Sequence, residues 1–272
     1  MSAVAADARL QRRARGWAIV AQQELRDLWL GGRGLLLVFA FSLLLSIIAY
    51  LTATNQALNF LEQRESVNLT LQVGIAVGSL LALLAAADAI SGERERSTLE
   101  SVLLTPIRRV DFVEGKLLAA LSLWFAAFVV TIPYVWFLGR GIGLGLVRDS
   151  LVVGIVVGTL LAIFLASFGI IVSVFARSNR VSLSLSLFLL LAVFAPTQLP
   201  SSATKGWAGD LLLRANPVTA GEHYVGKIVV DGHPWRTDAS WLLSPLIGAA
   251  VLAVLAAFVG ARFLTLGRGS AE

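Results

Sequence analysis

Two clusters of ionisable residues in this chain have types and spacing that suit chemistry, and the two suit different kinds. The denser one runs Ser91-Gly92-Glu93-Arg94-Glu95-Arg96-Ser97-Thr98-Leu99-Glu100, continues through Thr105-Pro106-Ile107-Arg108-Arg109 and closes at Gly115-Lys116. Its acids alternate with arginines, which fits oriented docking of a partner better than proton transfer, because acid/base chemistry needs paired carboxylates or a positioned His in a site. The sparser cluster comprises Glu222-His223 and Asp231-x-His233 with Arg236 nearby. With only two His and no Cys in the chain, these residues are a poor zinc site and read better as solvated polar groups. A lipid-modifying membrane enzyme using Asp231, His233 and Arg236 is the enzymatic alternative they leave. No G-x-x-x-x-G-K-[ST] phosphate loop, nucleophile elbow or H-E-x-x-H motif occurs: Gly115-Lys116 runs into Leu117 and Gly226-Lys227 into Ile228. No catalytic residue and no metal ligand is assigned, and the chain is not expected to bind ATP alone.

The elements that position these clusters are membrane helices. Hydrophobic residues make up 57% of the 272 positions and charged residues 14%, which is outside the range of soluble domains. Six apolar blocks, at about 34–54, 69–90, 115–138, 150–175, 181–199 and 241–264, are each long enough to cross a hydrocarbon core of about 30 Å. None alternates as a barrel strand would, so the expected fold is all-α, a single bundle of six transmembrane helices. Fifteen of the 22 lysines and arginines fall in the termini and in the connections 91–116 and 176–180, which places both termini in the cytoplasm. Because the basic residues are split among short loops, the net charge of +5 marks topology and not nucleic-acid binding. The N-terminus, with Arg9, Arg12, Arg13 and Arg15 ahead of a polar-studded segment, does not read as a removable signal.

Between residues 14 and 30, Trp17, Val20, Ala21, Leu25 and Leu28 share one helical face and Arg15, Gln22, Gln23 and Arg26 another. This predicts an interfacial amphipathic helix, turned into the first span by Gly31-Gly32. In the charged segment 91–114, Ser97-x-x-Glu100 and Asp111-x-x-Glu114 both have capping-box spacing, with Pro106 between them. The first box predicts a short helix on which Leu99, Val102 and Leu103 form one exposed apolar face. A mixed-charge rim of Glu93, Arg94, Glu95, Arg96, Arg108 and Arg109 would surround that face.

The run Asp88-Ala-Ile-Ser-Gly-Glu-Arg-Glu-Arg-Ser-Thr-Leu-Glu-Ser-Val-Leu-Leu-Thr-Pro-Ile-Arg-Arg, followed by Glu114-Gly115-Lys116, resembles the segment after the second span in ATP-binding-cassette (ABC) permeases of the type-2 exporter (ABC-2) family. The layout of the whole chain is similar too, closest to the compact permeases of copper-processing and related systems. The resemblance implies that a coupling helix at about Thr98–Thr105 sits in a groove of a separate ATPase subunit, with Glu93, Glu95 and Glu100 at its acidic approach. It implies a transport unit of two ATPase subunits and two permeases, the second being a copy of this chain or a paralogue, in the bacterial inner membrane. ATP and Mg would reside on the ATPase partner, export is the implied direction, and a periplasmic accessory protein is compatible with the external segment.

That external segment, 200–240, interleaves Trp207, Leu211, Leu212, Val218 and Tyr224 with Pro217, Pro234 and several Gly. It predicts two short helices dipping back around Asn216-Pro217, since backbone at membrane depth must be helical or buried in protein. Asp88 is the one ionisable candidate inside a span, close enough to the end of span two to cap the bundle or pair with an Arg. Gly154-x-x-x-Gly158 and Ser182, Ser184 and Ser186 offer small surfaces for helix contact. A secondary transporter is the remaining alternative, but the chain shows neither midplane charge nor an internal repeat.

Overall fold

The computed structural model describes residues 3–54, 60–99, 104, 107–198 and 206–264. All regular structure among them is helical: α1 (Ala3–Leu30), α2 (Arg33–Thr54), α3 (Phe60–Glu95), α4 (Arg109–Gly139), α5 (Leu144–Phe175), α6 (Asn179–Phe194), α7 (Trp207–Ala215), α8 (Pro217–Val229) and α9 (Leu243–Phe263). Short 3-10 turns follow α6 at Ala195–Gln198 and precede α9 at Ala239–Leu242. Six stretches are long and apolar enough to cross a bilayer: Arg33–Leu51, Gln63–Glu95, Arg109–Gly139, Leu144–Phe175, Asn179–Thr197 and Ala239–Phe263. The protein is thus the all-α six-span bundle that its composition requires.

Several helices overrun their apolar blocks. α3 stays helical through Ser91–Glu95 and α4 starts at Arg109, so both ends of the charged segment 91–114 are turns of the flanking spans. α1 begins at Ala3 rather than 14, and α5 at Leu144 rather than 150. A helix satisfies its own backbone and continues past the last apolar residue until a terminator intervenes. The Asp111-x-x-Glu114 box does not cap α4. The cap position is Arg108, extended at φ −72° and ψ 140° with no side-chain cap bond, and Asp111 sits inside the first turn. There it is buried against Gly16 of α1, where it still faces the positive end of the α4 dipole.

Helices α3, α4 and α5 form the centre. In the most apolar window of each span, 56, 50 and 56% of their residues are buried, against 22, 17 and 22% in α2, α6 and α9. Trp124 of α4 is the central wedge, fully buried, with its Nε1–H donating to Thr159 Oγ1 at 3.1 Å. Its ring lies against Gly78 of α3 and Gly158 of α5, at positions where a Cβ would intrude on it. One turn away, Gly154 leaves room for Leu71 and Phe128. The two glycines of the G-x-x-x-G pair therefore admit large side chains of α3 and α4.

α1 crosses the first turns of α4. Val20 and Ala21 pack on Gly115, and Trp29 Nε1–H donates to Ser122 Oγ at 3.1 Å. Gly32, at φ +80°, makes the turn into α2 in a conformation that L side chains rarely adopt.

α7 and α8 meet at Asn216-Pro217. Asn216 Oδ1 accepts the N–H groups of Val218 and Thr219 at 2.9 and 3.4 Å, and its Nδ2 donates to Val193 O of α6 at 2.7 Å. Pro217 lies against Gly248 of α9, and Gly221 against Val157 and Leu161 of α5. Val157 is roughly 20 Å along α5 from Leu144 at 1.5 Å per residue, so α8 packs against the middle of a span. At its other end, Arg64 Nη1 of α3 donates to the Val229 and Val230 carbonyls at 3.4 and 3.2 Å, satisfying the helix C-terminus.

Candidate functional site: a charged junction at the end of the second span

α3 terminates in a Schellman motif. Thr98 N–H donates to Glu93 O at 3.0 Å and Ser97 N–H to Arg94 O at 3.2 Å, with Ser97 itself at φ 59°. Ser97 therefore stands in the reversal that ends α3, and Leu99 is helical again two residues on. The reversal folds Leu99 back into the core, where it is 5% exposed, so Leu99 is not on the open apolar face that its spacing suggested. Leu104, 76% exposed, is the open apolar side chain among the described residues of this connection. Glu100, Val102, Leu103 and Pro106 lie outside the described residues.

The last two turns of α3 tie five other helices together. Lys116 of α4, 1% exposed, donates to Glu24 of α1 and to Glu93 of α3, both at 2.7 Å. Glu93 therefore faces inward instead of toward a partner. Asp88 Oδ2 lies 3.6 Å from both Arg33, the first residue of α2, and Arg96. Arg94 caps the C-terminus of α5, donating through Nη2 to Val174 O at 2.9 Å and through Nη1 to Ala176 O. Glu95 Oε2 accepts the Asn179 N–H at the start of α6 at 3.3 Å, and Ser91 Oγ donates to Asn179 Oδ1 at 3.2 Å. Ser173 Oγ of α5 accepts the N–H groups of Ile90 and Ser91. Any displacement of this end of α3 must move or break contacts to α1, α2, α4, α5 and α6 together.

Thr98, Arg108 and Arg109 are exposed at the junction's edge. The acid–arginine alternation thus divides by side. Glu93 and Arg94 are spent on contacts within the protein, Glu95 is exposed but holds the start of α6, and Arg108 and Arg109 face outward. Sequence reasoning missed Lys116 and Glu24. The available signal was Glu24 itself, a carboxylate three and four residues after Ala21 and Val20 on the apolar face of α1, where it needs a buried cation.

The ionisable residues of the sparser cluster pair locally. His233 Nδ1 lies 2.8 Å from Asp238 Oδ2, Lys227 donates to Asp231 at 2.8 Å, and His223 stacks on Trp241 with ring centroids 4.0 Å apart. Among the described residues no group of three or more metal-binding side chains forms.

Comparison with curated proteins gives no match. The sequence profile of the ABC-2 family transporter proteins matches residues 18–265, which take in the second half of α1, all six spans, the junction and α7–α8. The chain belongs to the ABC-2 transporter family and is the multi-pass membrane permease component of an ABC transporter.

Proposed function

We propose that this permease receives the stroke of a separate ATPase subunit at the connection 96–109 and carries it along α3 to the external segment, driving export. The observation that supports this most is α3 itself. It is one uninterrupted helix of 36 residues, roughly 54 Å long, with the five-helix junction at one end and the Arg64 cap of α8 at the other. A rigid helix held at both ends is suited to bias the bundle between two states when a partner binds one end. On this reading the junction, on the side with most of the lysines and arginines, faces the cytoplasm, and α7–α8 form a re-entrant external gate. Thr98, Leu104, Arg108 and Arg109 face the ATPase subunit. Glu93, Glu95 and Arg96 position the segment. Two ATPase subunits would serve two permeases in the bacterial inner membrane, with ATP and Mg held by those subunits.

The test is affinity capture of the tagged chain from native membranes in mild detergent. A stoichiometric Walker-A ATPase is expected to remain bound. Leu104→Asp, which puts a charge on an exposed apolar contact, should reduce that capture at least tenfold with membrane insertion intact. Equal capture by the variant, or a wild-type chain that retains no ATPase, would overturn the docking assignment.

A further inference from the structure

Beside the junction the helices enclose a cavity of about 440 Å³. Its lining combines apolar side chains, among them Leu28, Leu37, Leu84 and Ala120, with charged ones. Lys116 is already held by Glu24 and Glu93. Arg33 and Arg96 are not held in this way. Each approaches Asp88 only to 3.6 Å, beyond hydrogen-bonding distance, and their side chains are 65 and 51% exposed. Neither guanidinium donates a hydrogen bond among the described residues. Two arginines converging from the start of α2 and the turn after α3 with donors unspent match the chemistry that grips a phosphate.

The same lining restricts what the phosphate belongs to. Four carboxylates, Glu24, Asp27, Asp88 and Glu93, face three cations, so the cavity holds one negative charge in excess. A ligand whose only charge is a phosphate would add to that excess. One that carries an ammonium as well would not, and its N–H groups would find acceptors in the acids. Depth and shape point to a lipid. Asp88 and Lys116 are each seven residues inside the ends of their helices at Glu95 and Arg109, roughly 10 Å in, where the headgroup zone gives way to hydrocarbon. The apolar lining adjoins that level.

We propose that this cavity binds the headgroup of an aminophospholipid of the phosphatidylethanolamine type from the leaflet on the junction side. The phosphate lies between Arg33 and Arg96, the ammonium faces Asp27 and Asp88, and an acyl chain runs along Leu28 and Leu37. So bound, the lipid joins the α1–α2 turn to the end of α3. The inference rests on the membrane character of the chain and is independent of the ATPase docking reading.

The full-length chain, purified in detergent and stripped of lipid, would be offered phosphatidylethanolamine, phosphatidylcholine or phosphatidylglycerol of one acyl composition. Bound lipid is counted by native mass spectrometry and its effect followed by thermal melting. One phosphatidylethanolamine per chain should be retained about tenfold more tightly than either competitor, the worth of about one charge-assisted hydrogen bond. Choline has no N–H to donate, and the glycerol headgroup leaves its charge uncompensated. The double variant Arg33→Gln/Arg96→Gln, altering two exposed side chains, should retain all three lipids about tenfold less tightly while its lipid-free melting temperature stays put. Asp27→Asn, on the exposed side of α1, tests the ammonium half and should bring phosphatidylethanolamine down to the level of phosphatidylcholine. Equal retention of the three lipids, a preference for phosphatidylglycerol, undiminished retention in the arginine variant, or full selectivity in Asp27→Asn would each overturn the assignment. ATPase capture is a separate measurement, so failure of the lipid site and failure of the docking reading are told apart.

Discussion

Lys116 sits between two carboxylates at 1% exposure, and the cost of removing a cation from water is offset there only because both pairs are short. Lys116→Met keeps the unbranched shape, one atom shorter, but leaves Glu24 and Glu93 facing each other without a counter-charge. The expected result is destabilisation by roughly 3 kcal/mol, read as a fall of several degrees in melting temperature in detergent. An unchanged melting temperature would mean that water already screens the two acids. This residue was hard to see in the sequence because a lysine at the mouth of a span ordinarily snorkels to the headgroups. The charged run was legible as a site, yet one-dimensional spacing does not say which members turn inward. Ser97 adopts a left-handed conformation that glycine usually takes, so the end of α3 has no glycine to announce it in the sequence.

α8 shows how far an element can be read from its punctuation. Asn216-Pro217 marks a helix start by side-chain acceptor and fixed φ, and the structure puts Asn216 at the cap. The hydrogen bond from Asn216 to Val193 and the Arg64 cap at the far end connect distant parts of the chain, and no local pattern announces them. Glu222 on the same helix makes a pH prediction. Burial pushes its carboxyl up to about 7 from the ordinary 4.5. The folded state thus holds the proton more tightly than the unfolded state. The associated stability is fully present below about pH 4.5 and is lost as pH rises through about 7. Glu222→Gln removes that dependence. The variant and the parent should melt together near pH 5, and the variant should be more stable by about 2 kcal/mol near pH 8. Parallel melting curves across that range would show that Glu222 is well solvated in the folded protein.

Across the whole molecule, the number of spans was legible but their arrangement was not. Peripheral α2 and α9 have a mean hydropathy of 2.5, above the 2.1 and 2.0 of central α3 and α4. Lipid is as apolar as a protein core, so hydropathy cannot tell a helix packed on protein from one packed on lipid. What marks the centre is room for close approach, as at Gly78, Gly154 and Gly158 around Trp124 and its neighbours. Gly158→Leu, which drives a side chain into the Trp124 ring, should destabilise the bundle by roughly 3 kcal/mol. Native-like melting would show that α4 and α5 can separate at low cost. The docking of α1 on α4 also bears on how the protein is made. α1 leaves the ribosome before α4, and the residues that receive it, Asp111, Gly115, Lys116 and Ser122, follow some ninety positions later. At about 5–20 residues per second the nascent helix waits roughly 5–20 s for its seat. Throughout that interval Glu24 has no Lys116, and membrane lipid is the surface available to the apolar face of α1. Early biogenesis therefore runs through a peripheral helix awaiting the third span, and a chain interrupted before that span emerges would keep its amino-terminal helix undocked.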